Sequence, residues 1–178
     1  GPTIADDIRG GAWKATLLAL FGIFSYIAVR FRKWQYGLAA VVTIIHDTLI
    51  LLAIFSVFSG ILPFSLEIDQ TFIAALLTVI GYSINDTVVV FDRIREYLAL
   101  NPKRNQKDVI NDAINSTLSR TVVTSLTTLI VVLILFVFGG EVIRGMSFAL
   151  LIGILVGTYS SIFVATPIVV DLTQAEAN

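Results

Sequence analysis

The sequence predicts an all-α, polytopic helical membrane protein with five transmembrane helices. Of its 178 residues, 56% are hydrophobic, and the mean hydropathy is +0.88. Only 14% are charged, against about 25% in a typical soluble domain. The apolar residues fall in runs of roughly 18 to 25, which is the length that a helix needs to cross a bilayer.

The rest of the composition argues against several other classes of protein. A formal net charge of −1 gives no indication of a nucleic-acid surface, and we expect no nucleic-acid partner. The chain has no Cys, so it has neither disulfides nor thiol chemistry. With a single His besides, we expect no metal site. We also expect no cofactor and no enzymatic activity.

The apolar runs define five predicted spans within a transmembrane domain at 12–178, after an extracytoplasmic segment at 1–11. These spans cover residues 12–29, 37–58, 72–91, 121–138 and 146–170. The start of the sequence lacks a basic region and an initiator Met, so we expect a piece of a longer chain rather than a signal peptide.

The only long polar stretch is the predicted cytoplasmic loop at 92–120. Apolar residues recur in it at helical spacing on both sides of Asn101-Pro102. This pattern predicts two amphipathic helices that lie at the cytoplasmic surface of the membrane.

The basic residues predict the orientation in the membrane. Nine of the 12 Lys and Arg residues lie in the segments 30–33 and 93–120. The positive-inside rule assigns these segments to the cytoplasm. We therefore expect the N-terminus of this sequence outside and its C-terminus inside.

The third span contains the first candidate functional residue, Asp86, which follows Asn85. An ionised carboxylate in a membrane span costs on the order of 3 kcal/mol on insertion scales. Asp86 lies roughly 9 Å from the cytoplasmic end of the span, at 1.5 Å per residue. We interpret it as a residue that takes up and releases protons; the alternative is a packing Asp with a static cationic partner.

Arg120 begins the fourth span and is the second candidate. Thr124, Thr127 and Thr128 lie on the same helical face, with Thr121 and Ser125 alongside, which predicts a polar stripe directed into the bundle. The pattern favours Arg120 as a counter-ion that Asp86 releases when it is protonated. The alternative is an interfacial Arg that only sets the topology.

Two further groups of residues are candidates. Asp47 lies near the centre of the second span and predicts a second relay station, with His46 beside it. A buried neutral His46 that bonds a neighbouring helix is an equally good interpretation. The last span has small residues at steps of four, which predict close helix packing, at Gly153, Gly157 and Ser161.

Two motifs give the sequence a family resemblance. The segments GYSINDTVVVFDRIRE at 81–96 and TLSRTVVTSLTTL at 117–129 resemble the SecD/SecF family of protein-export membrane proteins, in the second half of its SecF members. The His-Asp pair, the turn FGGEVIRG and the run LLIGILVGTYSS also fit that family. The resemblance covers essentially the whole sequence, which lacks the family's first span and periplasmic domain. It implies five helices of a six-helix half-bundle of the resistance-nodulation-division type.

The resemblance also implies a function and partners. SecF pairs with SecD, or is fused to it, in a complex that uses the proton-motive force to assist protein translocation through the SecYEG channel. YajC is a further candidate partner, and a translocating preprotein would be held by the absent periplasmic domain. The family's functional Asp and Arg correspond to Asp86 and Arg120, and its His-Asp acid corresponds to Asp47. The expected location is the cytoplasmic membrane of a bacterium or archaeon.

Two other functions remain open from the residues alone. The chain could be half of an exporter of small molecules or lipids from the same superfamily. It could equally be a structural scaffold subunit whose charges only lock helices together.

Overall fold

The computed structural model describes the backbone of residues 2–177 and the side chains of residues 14–174. Over these residues the chain forms helices and short turns, with no strand. A π-helical turn, Ser161–Ala165, joins the last two helices. The helices are α1 (Pro2–Phe31), α2 (Trp34–Phe58), α3 (Gln70–Leu100), α4 (Gln106–Phe138), α5 (Glu141–Ser160) and α6 (Thr166–Ala177).

Five stretches are long and apolar enough to cross a membrane, which confirms the predicted fold class. They lie within the described residues at 14–31, 34–58, 70–100, 106–138 and 141–174. The last of them combines α5, the π-helical turn and α6 into one continuous span. The predicted segment at 1–11 lies outside the residues whose side chains are described.

The polar stretch at 92–120 is helical on both sides of Asn101-Pro102, but its two halves are not separate surface helices. The first half is the end of α3 and the second is the start of α4. Val90 and Ile94 on α3 pack against Ile110 and Ala113 on α4. The apolar faces therefore cover each other, and the two spans continue beyond the predicted ends.

We call the end of the bundle where α1, α3 and α6 finish the basic end. Arg30 bonds Asp92 at 3.2 Å, and Arg95 donates to the carbonyl of Arg30 at 3.3 Å. Beneath these exposed groups, the rings of Phe31, Tyr36 and Phe91 stack or meet edge to face. Each exposed ion pair contributes little, so the aromatic cluster provides most of the connection between α1, α2 and α3.

At the opposite end, a loop at 59–69 connects α2 to α3. Asp69 caps α3, because its Oδ1 accepts from the Phe72 amide at 2.9 Å and from the Thr71 hydroxyl at 2.7 Å. These hydrogen bonds, led by the Phe72 amide, lower the pKa of Asp69 from its ordinary value. Phe64 anchors the loop to the bundle by packing against Phe136 on α4 and Phe148 on α5.

In the centre of the bundle, α5 packs against α2, α3 and α4. Small residues allow its closest approach, which is to α3. Gly153 lies directly against the side chain of Val79, and a Cβ at Gly157 would lie 3.1 Å from the Cβ of Ser83. Both glycines are buried. This contact brings the polar residues of α3 and α5 together.

Replacing Gly153 with Ala tests this contact. The new Cβ would overlap both γ-methyl groups of Val79, and overpacking of this kind costs about 1–3 kcal/mol. Gly81→Ala is the matched control, because a Cβ there meets no atom within 4 Å. We expect thermal unfolding in detergent to show a lower melting temperature for Gly153→Ala only. Equal melting of the two variants would contradict the close packing of α5 on α3.

Candidate functional site

Asp47 is buried in the middle of the bundle, with 2% of its surface exposed. Its Oδ2 accepts hydrogen bonds from Ser83 on α3 at 2.6 Å and from Ser160 on α5 at 2.8 Å. Its Oδ1 lies 3.0 Å from Nδ1 of His46. An ionised carboxylate only accepts, so with Asp47 ionised the proton lies on Nδ1. These donors replace the water that an ion at this depth lacks.

Asp86 forms a second centre, three residues after Ser83 on α3. It is half-buried and faces α4 and the π-helical turn. Its Oδ1 accepts from Thr121 at 3.0 Å, and its Oδ2 accepts from Ser161 at 2.6 Å. Both donors are neutral hydroxyls from other helical segments, so the carboxylate joins three segments without an ion pair.

A third group of hydroxyls lies beside the two carboxylates. The Tyr82 hydroxyl donates to Ser125 at 3.1 Å, and Ser125 shares a hydrogen bond of 2.6 Å with Thr158. This group connects α3, α4 and α5. We call the whole set the polar layer: residues 46, 47, 82, 83, 86, 121, 125, 158, 160 and 161.

Arg120 does not pair with Asp86 in this structure. Among the described side chains, the ion pairs within 4.0 Å do not include Arg120. Consecutive residues of an α-helix point about 100° apart, and α4 turns Thr121 rather than Arg120 towards Asp86. The predicted counter-ion contact is therefore absent from this arrangement of the helices.

Arg120 instead lines an open cleft of about 360 Å³ between α3 and α4 towards the basic end. Thr117 and Val89 also line it, and these residues lie one helical turn beyond Thr121 and Asp86. The cleft is charged, with Asp92, Arg93 and Glu96 in its wall. It brings a polar surface to within about one turn of the Asp86 carboxylate.

The structure corrects the predicted direction of the threonine stripe on α4. Thr124 and Thr127 are exposed in this chain, and Thr128 is half-buried with its hydroxyl bonded to the carbonyl of Thr124. The stripe that packs inside the bundle is Thr117, Thr121, Ser125 and Val132. The predicted direction was wrong because Arg120 was taken to face Asp86. Asn85 is also exposed, on α3.

Other members of the site were not predicted from the sequence. Ser161 was assigned to packing alone, but its hydroxyl binds Asp86. Neither Ser83 nor Ser160, which bind Asp47, was assigned a role. Hydroxyl residues in apolar spans that contain acids are the signal that would have found them. Among the described residues, no group of three His, Cys, Asp or Glu side chains is arranged to hold a metal ion.

The fold and the polar layer define a class of protein. It is a polytopic helical membrane protein that holds two acids between its spans with the hydroxyls of neighbouring helices. The family described as "Protein export membrane protein SecD/SecF, C-terminal" matches residues 1–175. The chain belongs to this family, and the resemblance seen in its motifs is confirmed.

Similar proteins and a solved structure agree with this assignment. The chain is 60% identical to protein translocase subunit SecF of Rhodothermus marinus over 177 residues, which is 99% of the chain and 57% of that protein. It is 49% identical to the SecF of Koribacter versatilis, over 96% of the chain and 40% of that protein. The chain thus spans about half the length of these curated relatives.

The solved structure is a crystal structure of SecDF in a super-membrane-facing form. It matches with a TM-score of 0.87 and 43% identity, over 96% of this chain and 22% of that chain. The helical arrangement described above is therefore that of one part of SecDF.

Replacing Ser83 with Ala tests the hydrogen bonds around Asp47. The carboxylate would lose its shortest hydrogen bond while it stays buried, and hydrogen bonds to charged groups contribute about 1.5–3 kcal/mol. Thr78→Ala is the control, because Thr78 on the same helix is exposed and bonds only the carbonyl of Ala74. We expect unfolding in detergent to show the loss for Ser83→Ala alone. Equal stability of the two variants would show that Ser83 does not stabilise Asp47.

Proposed function

We propose that this chain is the membrane part of a SecF subunit in a SecDF complex that assists protein translocation through SecYEG, using the proton-motive force. Asp47 and Asp86 are the proton-carrying residues. The observation that carries the proposal is a pair of carboxylates inside the bundle, one buried and one half-buried, that are held mainly by hydroxyl donors from other helical segments. Membership in the SecD/SecF family supports it. Titratable acids inside a membrane are typical of proton pathways.

Protonation changes what Asp86 can bind. An ionised carboxylate accepts from Thr121 and Ser161, whereas the protonated acid donates one hydrogen bond itself. One of the two hydroxyls must then rotate to accept, which alters the contact of α3 with α4 or with the π-helical turn. One charge that crosses 100 mV releases about 2.3 kcal/mol, which shifts a two-state equilibrium roughly fifty-fold.

The cleft at Arg120 is the proposed route between Asp86 and the cytoplasm. It opens towards the basic end, which the positive-inside rule assigns to the cytoplasmic side. In this proposal, Arg120 acts on Asp86 across the cleft during the cycle, and the structure described here is a state in which the two are apart. The N-terminus of this sequence would then lie outside and its C-terminus inside, in a bacterial or archaeal cytoplasmic membrane.

SecD is the proposed partner for the exposed polar face of α4. Arg120, Thr124 and Thr127 are exposed on a helix whose other exposed residues are mainly apolar. Polar side chains in a span are seldom left facing lipid, so a second membrane subunit would cover them. The similar SecDF crystal chain, of which this chain covers 22%, supports this choice. YajC and a preprotein held by a periplasmic domain are further proposed partners.

Asp86→Asn in the full-length protein tests the relay. The amide keeps the size of the side chain but carries no ionisable proton, so we expect the proton-motive-force-dependent part of preprotein export to fall by about tenfold or more. Asp112→Asn is the control, because Asp112 is an exposed acid paired with Arg104, away from the polar layer.

Two results would count against the relay. Unchanged export by an assembled Asp86→Asn complex would contradict it. A variant that fails to assemble with SecD would favour the scaffold function instead.

Arg120→Ala tests whether Arg120 and Asp86 act as one unit. We expect its export defect to match that of Asp86→Asn, and the double variant to be no worse than either single one. Arg104→Ala is the control, because Arg104 is exposed and bonded to Asp112 at 2.9 Å. Export rates that show additive defects in the double variant would contradict the coupling.

A further inference from the structure

Two consecutive serines connect the two carboxylates. Ser160 donates to Asp47 at 2.8 Å and Ser161 donates to Asp86 at 2.6 Å. Both serines have 0% of their surface exposed. Because neighbouring residues of a helix point about 100° apart, the pair reaches one acid on α2 and another on α3.

Each serine hydroxyl also has a second acceptor within its own helix. Ser160 lies 3.2 Å from the carbonyl of Gly157, and Ser161 lies 3.0 Å from the carbonyl of Thr158. A hydroxyl has only one proton to donate. Each serine hydroxyl can therefore donate either to a carboxylate on another helix or to a backbone carbonyl three residues earlier in the chain.

The backbone at this point is not a regular α-helix. The π-helical turn begins at Ser161, and the Thr166 hydroxyl donates to the Ser161 carbonyl at 3.2 Å. Single π-helical turns are rare and occur often at functional sites. Hydrogen bonds from serine to a preceding carbonyl bend helices. Which acceptor each serine hydroxyl binds therefore affects the angle between α5 and α6.

We propose that Ser160 and Ser161 are positioning residues that couple the hydrogen-bonding state of Asp47 to that of Asp86 through the π-helical turn. When a proton binds Asp47, an O–H bond forms on the carboxyl group, and the Ser160 hydroxyl turns to the Gly157 carbonyl. The local bend changes, and it displaces Ser161 relative to Asp86. No proton passes between the serines, and no other covalent bond of the protein is made or broken.

Because Ser160 and Ser161 are consecutive, they form the shortest connection along the chain between the partners of Asp47 and those of Asp86. Among the described side chains, Asp47 accepts hydrogen bonds from hydroxyls of α3 and α5 and lies next to His46 of its own helix. Within the same residues, Asp86 bonds hydroxyls of α4 and of the π-helical turn. The inference rests on the proposed relay for its role in the cycle, but the coupling itself is a property of the fold.

Infrared difference spectroscopy of the full-length complex in lipid tests the coupling. Asp47→Asn and Asp86→Asn assign the carboxyl bands. Ser161→Ala is expected to shift the Asp86 band and also the Asp47 band. Thr121→Ala is the matched control, because it removes the other donor to Asp86 but has no chain connection to Ser160, and it should shift the Asp86 band alone. The same band pattern for both variants would overturn the proposal.

A second comparison tests the path from the side of Asp47. Ser160→Ala and Ser83→Ala each remove one donor to Asp47, and Ser160→Ala is expected to shift the Asp86 band more. A larger effect of Ser83→Ala would place the coupling in α3 and overturn the proposal. If Ser161→Ala fails to assemble, Ser161→Cys retains the volume with a much weaker donor and is expected to give the same two shifts.

These spectra are independent of export. A cross-shift together with normal export by Asp86→Asn would support the coupling and contradict the proposed function. Loss of export without a cross-shift would contradict the coupling alone.

Discussion

The arrangement of this bundle follows from the need to replace water around two carboxylates in an apolar interior. An unpaired buried charge costs several kcal/mol or shifts its protonation, and the chain meets this cost mainly with hydroxyl groups, and at Asp47 also with the His46 ring. Asp47 and Asp86 each collect hydrogen bonds from two other helical segments. Because these donors are neutral, a proton can be added or removed without leaving a buried cation unpaired.

The packing of α5 makes these hydrogen bonds possible. Gly153 and Gly157 let the helix approach α3 so closely that a Cβ at either position would press on Val79 or Ser83. At the end of this contact, Ser160 and Ser161 are already within hydrogen-bonding distance of different acids. The small residues therefore bring the backbones of α3 and α5 so close that short serine side chains reach the carboxylates, and long polar side chains are not needed.

Much of this could be predicted from the sequence, because hydropathy and charge are local properties. The five spans and the buried glycines follow from run lengths, polar breaks and four-residue spacing. The direction of the α4 stripe did not, because Arg120 and Thr121 are neighbours and only the packed helix decides which one meets Asp86. The hydroxyl partners were missed for the same reason, since Ser83 and Ser160 meet Asp47 only through tertiary contact.

The central claim is that Asp86 gains and loses a proton while the complex works. The most direct measurement is a pH titration of the full-length complex in lipid, followed by the infrared band of the protonated carboxyl group. We expect a band that appears and disappears reversibly within the working pH range and is missing in Asp86→Asn. A spectrum in which Asp86 keeps one protonation state across that range, with export still active, would contradict it.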